Sequence, residues 1–358
     1  MADSLFDWLA LLLAKGMGLK GKLKLLQLAP PSVLRRWAIA GDLTGVSTRI
    51  QQQLATPDKR AIQQCLDWCE SAADRHLVTL TDERYPFALK QITDPPLVLF
   101  VEGLLNAING PGLAVVGSRR ASVTTKELTA EWSRQLAAEG WVIVSGLAEG
   151  VDACAHRGAL EAGLTVAVTG CGLAQCYPKR HYELSQQIRT KGALVSPFPP
   201  WEKPKRAYFP QRNRIVSGLS YGTVVMEAGL KSGSLITARL ASEQGREVFA
   251  VPGSVAHPEA AGCHFLIQQG AKLVTEPVHI SEELLPMGQP QAIEAAAVET
   301  ELPLPKLLDS VGYEATAVDV VVARSDLPVE EVLEQLLMLE LEGRVAQVPG
   351  GYVRLRGG

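Results

Sequence analysis

Four glycine- and serine-rich turns occur in the middle of the chain, each where an apolar run gives way to a helical pattern. Turns of this kind direct backbone N–H groups and a helix N-terminus outward, which is how parallel α/β sheets hold phosphate groups. Arginine or lysine accompanies the turns. The pattern therefore predicts an α/β fold with a phosphate-rich ligand. The turns are VVGSRR at 115–120, VSGLAEGVD at 144–152, RNRIVSG at 212–218 and LKSGSLITA at 230–238.

From residue 113 onward, apolar segments alternate with amphipathic ones. The predicted strands are 113–117, 141–145, 164–169, 193–196, 221–226, 247–251 and 272–275. Continuous apolar strands separated by amphipathic helices, such as 124–138, are typical of a parallel, doubly wound sheet. Right-handed crossovers bring the ends of such strands to one edge, where ligands bind. We therefore expect a Rossmann-like, mostly parallel α/β domain over 81–280.

Residues 1–80 are predicted to form a small helical domain of the SAM-like or helix-hairpin-helix-like kind. Its predicted helices are 5–14, 22–28, 33–40 and 57–71. The turn Gly16-Met17-Gly18, followed by several lysines, fits two readings. It is either a hairpin whose amides contact a phosphate backbone or an ordinary turn between two packed helices.

The C-terminal part is predicted to begin with a linker over 281–301 and to continue as a separate domain over 302–358. That domain shows three helical patterns and a final hairpin with the turn Pro349-Gly350-Gly351. The helices are predicted at 304–311, 317–323 and 329–342, and the hairpin strands at 345–348 and 352–355. Three helices followed by a hairpin indicate a winged helix.

Charge is distributed unevenly, although the net charge is only −3. Residues 179–214 hold nine Lys/Arg and only two acidic residues, Glu183 and Glu202. A basic stripe beside phosphate-type turns favours a polyanion as ligand, although a solvated charged face remains the alternative. Residues 281–358 carry five Lys/Arg against fourteen Asp/Glu. Because phosphate neutralisation supplies most non-specific DNA affinity, we expect protein contact or packing from the winged helix.

Several classes of protein are disfavoured by composition. The apolar run Leu9–Ala14 is too short for a signal peptide, and no segment approaches the roughly 20 apolar residues of a membrane span. The six cysteines contain no CxxC pair, which favours a reduced, cytoplasmic protein. Cys171 and Cys176 lack a second ligand pair nearby, so neither a metal nor a cofactor is expected.

The turns after the first two strands offer groups that suit a phosphate. Gly117 permits a sharp bend, Ser118 offers a hydroxyl and an N–H group, and Arg119 offers a forked guanidinium. Ser145 and Gly146 end the second strand in a similar way. A tight strand–helix turn with a surface arginine is the structural alternative for the first of these motifs.

The turn formed by Lys231, Ser232, Gly233 and Ser234 is the most specific phosphate signal, because it opens a helix whose N–H groups are available. Neither the dinucleotide fingerprint G-x-G-x-x-G nor the Walker pattern G-x4-G-K-[ST] is present. Nucleotide hydrolysis is therefore unsupported.

Two segments place aromatic rings beside cations. Tyr177-Pro178 precedes Lys179, and a second segment reads Tyr208-Phe209-Pro210-Gln211-Arg212-Asn213-Arg214. Single-stranded nucleic acid needs this combination, since rings stack on bases and cations neutralise the backbone. An aromatic–proline turn that leads into a helix explains either segment alone, but their joint occurrence favours binding.

Asp152 and His156 share one face of the helix after the second strand. Such a pair could perform acid–base chemistry. The favoured interpretation is structural: Asp152 caps or pairs locally and His156 packs against the sheet. Neither a G-x-S-x-G nor an H-E-x-x-H motif accompanies them.

Taken together, these motifs resemble the DNA-processing protein A (DprA/Smf) family over roughly residues 80–280. The flanking helical and winged-helix regions match longer family members more loosely. The motifs that carry the resemblance are VVGSRR, SGLAEGVDACAHRGAL, GCGLAQCYPKRH, FPQRNRIVSGLS, MEAGLKSGSLITARLASEQGREVFAVPG and GCHFLIQQGA.

The resemblance implies a non-catalytic protein that binds and protects single-stranded DNA. It also implies loading of the RecA recombinase during natural transformation and recombination, and a homodimer formed through the core. The family's dimer and recombinase surface corresponds to the region Ala256–Gly270. Its basic pocket corresponds to Arg119, Lys179, Arg212, Asn213, Arg214 and Lys231–Ser234; the full predicted DNA-binding set adds Gly117, Ser118, Ser145 and Gly146.

A nucleotide-processing enzyme on the same fold is the alternative. Phosphoribohydrolases carry the loop P-G-G-x-G-T-x-x-E, and Gly233-Ser234 could occupy its G-T position. Thr237 would then stand where the catalytic glutamate belongs, so the charge that would act at the sugar is missing. A dinucleotide-dependent oxidoreductase is disfavoured by the missing fingerprint.

Overall fold

A computed structural model describes residues 4–284 and parts of 307–354, namely 307, 310–312, 315–325, 327–341, 344–348 and 350–354. The chain forms two compact units, Met1–Ile293 and Glu294–Gly358. No helix within the described ranges is long and apolar enough to cross a membrane.

Five helices begin the first unit: α1 (Leu5–Leu13), α2 (Leu19–Leu28), α3 (Pro31–Ala40), α4 (Thr48–Ala55) and α5 (Lys59–Glu70). Side-chain oxygens of Ser4, Ser47 and Asp58 accept N–H groups in the first turns of α1, α4 and α5. Helix α4 is absent from the predicted set, because three consecutive glutamines separate its buried residues Ile50 and Leu54. Its serine cap and its i, i+4 apolar pair were the available signals.

The N-terminal helices share a hydrophobic core with the sheet. Trp8 and Leu54 are almost fully buried in a cluster that also contains Leu77 and Phe100. The Trp68 ring meets the Phe100 ring edge-on, with 5.7 Å between centroids. Such pairs add about 0.5–1.5 kcal/mol beyond area burial. Packing is therefore continuous across residue 80, and the division into domains stays a prediction.

A nine-stranded sheet forms the centre of the first unit. Its strands are β1 (Arg75–Thr79), β2 (Val98–Gly103), β3 (Gly112–Val116), β4 (Val142–Ser145), β5 (Thr165–Val168), β6 (Gly192–Ser196), β7 (Ser220–Val225), β8 (Glu247–Ala250) and β9 (Lys272–Leu273). The spatial order is β1-β2-β6-β5-β4-β3-β7-β8-β9. Strands β3 to β9 pair in parallel, which confirms the predicted fold class.

Strands β1 and β2 extend the sheet with antiparallel pairing, and neither belongs to the predicted set. They precede the alternation of strands and helices on which the prediction depended. The continuous apolar run 97–101 was a local signal for β2. All seven predicted strands are present, with ends that differ by at most two residues, as at β9.

Strand order reverses between β3 and β7, which are neighbours although three strands separate them in sequence. The chain adds β4, β5 and β6 on one side of β3, and then places β7, β8 and β9 on the other. Crossovers that leave in opposite directions open a crevice at the carboxyl ends of the two central strands. The topology therefore places a ligand site beyond β3 and β7.

Helices cover both faces of the sheet: α6 (Phe87–Lys90), α7 (Val123–Ala138), α8 (Val151–Ala162), α9 (Tyr182–Lys191), α10 (Tyr208–Gly218), α11 (Ser234–Glu243), α12 (Ala261–Gln268) and α13 (Val278–Leu284). Alternation along β3 shows the two layers. Ala114 and Val116 belong to the cluster with α10, α11 and α12. Leu113 and Val115 belong to the cluster with α7, α8 and α13.

The second unit contains α14 (Val318–Ser325), α15 (Val329–Leu341) and a hairpin of β10 (Val345–Val348) and β11 (Gly351–Arg354). Val321, Leu336 and Val345 are buried in its own small core. These elements correspond to the second and third predicted helices and to the predicted hairpin. The predicted helix 304–311 lies largely outside the described residues, as does the predicted linker beyond Leu284.

Candidate functional site

A cavity of about 490 Å³ opens at the crevice beyond β3 and β7. Five chain segments line it: the turn after β3, the turn after β4 with the start of α8, the first half of α10, the turn before α11 with the start of α11, and the 3₁₀ turn before α12. Its lining includes Gly117, Ser118, Arg119, Arg120, Ala148, Asp152, Phe209, Arg212, Asn213, Lys231, Ser232, Gly233, Ser234, Thr237 and Glu259. We refer to this space as the edge cavity. Three of the four predicted turns therefore meet at one place, whereas the fourth, 212–218, forms the second half of helix α10 instead of a turn.

The turn before α11 presents N–H groups to the edge cavity. The amides of Lys231 and Gly233 have no hydrogen-bond partner among the described residues. Ser232 and Ser234 share a hydrogen bond of 2.7 Å between their hydroxyl groups, which fixes the turn. Asn213 Nδ2 also donates to the Gly233 carbonyl, at 3.5 Å. Open amides at the start of a ten-residue helix form a favourable position for an anion.

The turn after β3 is held by the segment that follows the neighbouring strand β7. Ser118 N donates to the carbonyl of Glu227 at 2.7 Å, and the Ser118 hydroxyl accepts the amide of Arg120. A Cβ at position 117 would lie 2.6 Å from Val151 Cγ2, so this position needs glycine for close packing. These contacts leave the Arg119 side chain exposed at the cavity rim, with no ion pair within the described ranges.

Arg212 is the most unusual cation of the site. It is only 5% exposed, and its Nε has no hydrogen-bond partner among the described residues. Its guanidinium occupies the space above Gly146, where a Cβ would come within 1.3 Å of Nη1. Burial lowers the pKa of Arg212 below its usual range, an effect that Asp152 opposes and Arg119 reinforces. A buried cation without a direct partner is costly unless an anion joins it.

Asp152 and His156 have structural contacts, as predicted. Asp152 Oδ2 accepts the amides of Gly146 at 3.1 Å and Ala148 at 3.3 Å. His156 is fully buried, and its Nδ1 lies 2.7 Å from the hydroxyl of Thr165. Burial lowers the pKa of His156 to about 3, so the ring is neutral. A neutral imidazole bound to the sheet does not pair with the carboxylate for proton transfer.

Two aromatic rings stand beside the edge cavity. The ring of Tyr177 is 44% exposed and lies 5.9 Å from that of Phe209, at a tilt of 51°. The Arg119 guanidinium lies 5.8 Å from the centre of the Phe209 ring. A smaller cavity lined by both rings shares Arg119 and Arg212 with the edge cavity. Rings and cations therefore form one continuous surface.

Tyr208, the third predicted stacking ring, is placed elsewhere. It stacks on Phe198, with 4.0 Å between centroids, and its hydroxyl lies 3.0 Å from a carboxylate oxygen of Glu202. Consecutive helical residues point in different directions, so the side chains of Tyr208 and Phe209 contact different parts of the protein. Tyr208 belongs to the internal packing.

Four predicted site residues do not line the edge cavity. Ser145 is fully buried, and its hydroxyl donates to the Val115 carbonyl at 2.6 Å. Arg214 pairs with Asp94 instead of facing the cavity. Lys179 is exposed and begins the 3₁₀ helix Lys179–His181, next to the smaller cavity. Gly146 is part of the wall of that smaller cavity.

The structure adds residues that the sequence did not single out. Arg120 and Glu259 line the edge cavity. Glu227 anchors the turn after β3, since its carboxylate accepts the Ser122 hydroxyl at 2.9 Å and the Thr125 hydroxyl at 2.8 Å. Arg120 could have been found from its place in VVGSRR. Glu227 gave no comparable signal, because its partners lie about a hundred residues away.

The basic stripe of 179–214 is less available than its sequence indicates. Four of its nine cations form ion pairs within the protein. The pairs are Arg180 with Glu149, Arg189 with Asp74 and Glu102, Lys205 with Glu202, and Arg214 with Asp94. Of the other five, only Arg212 lines the edge cavity among the described residues, and Lys179 lies next to the smaller cavity.

Known families match the chain along most of its length. A model described as DNA recombination-mediator protein A matches residues 76–285. A model described as DprA winged helix domain matches residues 290–351. The two matches follow one another in the order predicted for the core and the winged helix.

Individual relatives agree with these matches. Protein Smf of Escherichia coli is 46% identical over 329 residues, which cover 89% of this chain and 87% of the relative. DNA processing protein DprA of Bacillus subtilis is 39% identical over 272 residues, covering 72% of this chain and 92% of the relative.

Two solved structures are similar as well. DNA processing protein A of Streptococcus pneumoniae aligns with a TM-score of 0.70 at 35% identity, covering 79% of this chain and 99% of that one. DNA processing protein A of Helicobacter pylori, which has a single-stranded DNA binding mode, aligns with a TM-score of 0.54 at 32% identity. It covers 59% of this chain and 97% of that one.

Proposed function

This chain belongs to the DNA recombination-mediator protein A family, and on that premise we propose that it binds single-stranded DNA in the edge cavity and passes the strand to a RecA-type recombinase. Membership confirms the resemblance predicted from the motifs. DNA processing in recombination is the role of the family as a whole. The substrate form, the site and the handover are the proposal.

Arg212 is the observation that carries the proposal. It is a buried guanidinium with an unpartnered Nε, and the open amides of the turn before α11 line the same cavity. A phosphate group would supply hydrogen-bond acceptors and a negative charge in direct contact with Arg212, which Asp152 affects only from beyond ion-pair distance. The exposed Arg119 would contact the same or the next phosphate from the rim.

The adjoining aromatic surface supports a polynucleotide over inorganic phosphate. Tyr177 and Phe209 stand close enough to the cations for a base to reach them from a bound phosphate. Stacking on such rings contributes about 1–3 kcal/mol per base with little sequence preference. Stacking needs an unpaired base, so the arrangement favours single strands.

The remaining parts of the proposal concern assembly. We assign the dimer and recombinase surface to the region Ala256–Gly270, on the support of its exposed apolar side chains. Val255, beside that region, is 92% exposed, and Phe265 within it is 46% exposed. The winged helix is assigned to protein contact because of its acidic composition. We place the protein in the cytoplasm.

We propose no catalytic step. Thr237, at the position of the phosphoribohydrolase glutamate, is a buried hydroxyl at 2% exposure and offers no charge. Incubation with AMP and other monophosphates tests the alternative enzyme. Release of a free base that Ser234→Ala abolishes would establish that enzyme and contradict the proposal.

Fluorescence anisotropy with labelled oligo-dT tests DNA binding directly, with the single strand and a matched duplex each measured at two salt concentrations. We expect tighter binding of the single strand. The logarithm of its association constant should fall with the logarithm of salt concentration by about 0.7 for each phosphate contacted. Equal affinity for both forms, or no dependence on salt, would contradict the proposed site.

Handover is tested on oligo-dT that is already coated with a single-strand-binding protein. The readout is the rate at which a RecA-type recombinase forms filaments, with and without the chain. We expect the chain to accelerate filament formation, and Arg212→Ala to reduce that acceleration. A rate unchanged by the wild-type chain would remove the mediator step while leaving DNA binding intact.

A further inference from the structure

A carboxylate lies inside the cavity that we assign to phosphate. Asp152 lines the edge cavity and is 7% exposed. A fixed negative charge close to a bound anion would lower affinity, because like charges repel strongly where water is excluded. Its position in an anion site therefore calls for a physical reason.

One reason is geometric. The two amides that Asp152 Oδ2 accepts belong to Gly146 and Ala148, which form the turn after β4. Gly146 is the floor on which the Arg212 guanidinium rests. The carboxylate of Asp152 thereby fixes the backbone at Gly146 and Ala148, which we call the seat of Arg212.

A second reason is electrostatic. Asp152 and Arg212 form no ion pair within 4.0 Å in the described part of the chain, but they are close enough to affect one another's pKa. Burial raises the pKa of Asp152, while Arg212, the amides of Ala148 and Gly146, and Arg119 lower it. The ionised form thus depends on positive charge that an incoming phosphate would neutralise.

We propose that Asp152 is a positioning residue that holds the seat of Arg212 through its carboxylate and takes up a proton when a nucleic-acid phosphate enters the edge cavity. This inference rests on the proposed function. Proton uptake would remove the repulsion between carboxylate and phosphate. The two amide hydrogen bonds are compatible with the neutral acid, since its carbonyl oxygen still accepts them.

The sign of the pH effect follows from linkage. A phosphate beside Arg212 removes part of the interaction that keeps Asp152 ionised, so the pKa of Asp152 is higher in the complex than in the unbound protein. DNA affinity therefore rises as pH falls through the window between the two values. One proton taken up gives at most a tenfold rise per pH unit.

Other titratable groups lie near Asp152 or around the edge cavity. The test must distinguish their effects on the pH dependence from the effect of Asp152. His156 on α8 is buried and neutral, and Cys171 after β5 has a pKa raised by burial to about 11. Near the turn after β4, Glu149 is paired with Arg180, and His181 Nδ1 lies 2.9 Å from the Leu147 carbonyl. From the other elements come four groups: Arg119 and Arg120 after β3, Lys231 before α11, and Glu259 before α12.

The test compares oligo-dT affinity of Asp152→Asn and of the wild type from about pH 5 to about pH 8 at constant salt. Asparagine retains an acceptor for both amides but carries no charge. We expect Asp152→Asn to bind oligo-dT about threefold to tenfold more tightly near pH 8 and to lose most of the pH dependence. Asp152→Ala, which also releases the turn, should bind more weakly than the wild type.

Matched controls address charge and the nearby histidine. Glu161→Gln removes the same charge from an exposed position on α8 and should preserve the wild-type affinity and pH dependence. Glu259→Gln and His181→Gln should preserve the pH dependence even where they change affinity. Thermal unfolding of each variant shows whether the fold is retained.

Two results would overturn the inference while leaving the proposed function in place. One is a wild-type chain that binds oligo-dT with an affinity independent of pH, or with a pH dependence that Asp152→Asn keeps. The other is Asp152→Asn binding as weakly as Asp152→Ala near pH 8. Absence of binding by the wild type at any pH would instead contradict the proposed function itself.

Discussion

Two basic regions of the first unit differ in how their charges are satisfied. Beside α9, Arg189 contacts Asp74 at 2.5 Å and Glu102 at 3.3 Å, and Arg75 contacts Glu102 at 2.9 Å. At the edge cavity, Arg212 is more deeply buried and has no such partner within the described residues. Arginines occur in both regions, but those beside α9 are satisfied by carboxylates of the protein, whereas Arg212 is left for a ligand.

Arg212→Ala should give the largest effect, because it removes the buried cation on which the phosphate site depends. We expect oligo-dT affinity to fall by about 2 kcal/mol or more, roughly thirtyfold, since truncating one partner of a buried charge contact typically costs that much. Anisotropy at low salt measures it, and thermal unfolding controls for folding. An affinity within twofold of wild type would erase the distinction between the two basic regions.

Gly146→Ala tests the same cation without removing it. The new methyl group would overlap Arg212 Nη1, so the guanidinium must leave its seat. We expect a loss of about tenfold in oligo-dT affinity, smaller than for Arg212→Ala because the charge remains nearby. Gly233→Ala is a useful comparison, since no described atom lies within 4 Å of a Cβ placed there. Equal losses of oligo-dT affinity in the two variants would contradict the claim that binding requires the Arg212 guanidinium above Gly146.

Arg119→Ala and Lys179→Ala, measured separately, rank the cations at the rim. Arg119 lines the edge cavity, so its loss should lower the salt slope by about 0.7, the value of one phosphate contact on a single strand. Lys179 lies beside the smaller cavity and should lower it by less. Anisotropy titrations at several salt concentrations give both slopes. A larger change for Lys179→Ala would move the centre of the site away from Arg212.

Arg189→Ala should leave oligo-dT affinity unchanged and lower the free energy of unfolding by about 1 kcal/mol, as expected for a partly exposed ion pair. The hydrogen bond from Arg189 holds the pKa of Asp74 below its usual range. A carboxyl group with a lower pKa in the folded than in the unfolded state stabilises the fold at pH values above its unfolded-state pKa. This stabilisation is lost as the pH falls through the folded-state pKa. The stability difference should therefore shrink in acid. Chemical denaturation at neutral and acidic pH checks this.

Local patterns predicted much of the core. The turns around Ser118 and Ser232 could be located because glycine and serine mark the ends of apolar strands, and parallel topology then brings those ends to one edge. Strands β1 and β2 escaped prediction because they pair antiparallel and precede the alternation of strands and helices. Their place in the sheet depends on contacts with distant residues.

Arg212 and Arg214 differ in a way that could not be predicted from the sequence: Arg214 is paired with Asp94, and Arg212 forms no ion pair within the described residues. Residues two apart on a helix point in nearly opposite directions, so α10 could be expected to separate them. Which of the two would find a carboxylate could not be predicted. Asp94, the partner of Arg214, lies 120 residues away in sequence. Whether a charged side chain has a partner depends on the three-dimensional fold, and local sequence does not reveal it.

The two borders of the sheet limit how other proteins can attach. Strand β1 is packed against α5, and β9 at the opposite border spans only Lys272–Leu273, with Lys272 in an ion pair with Glu283. A short, charged edge strand offers another polypeptide few main-chain N–H and C=O groups for strand pairing. Lateral growth by strand addition is thereby discouraged, and a guest protein must be recognised through side chains on a helical or loop surface.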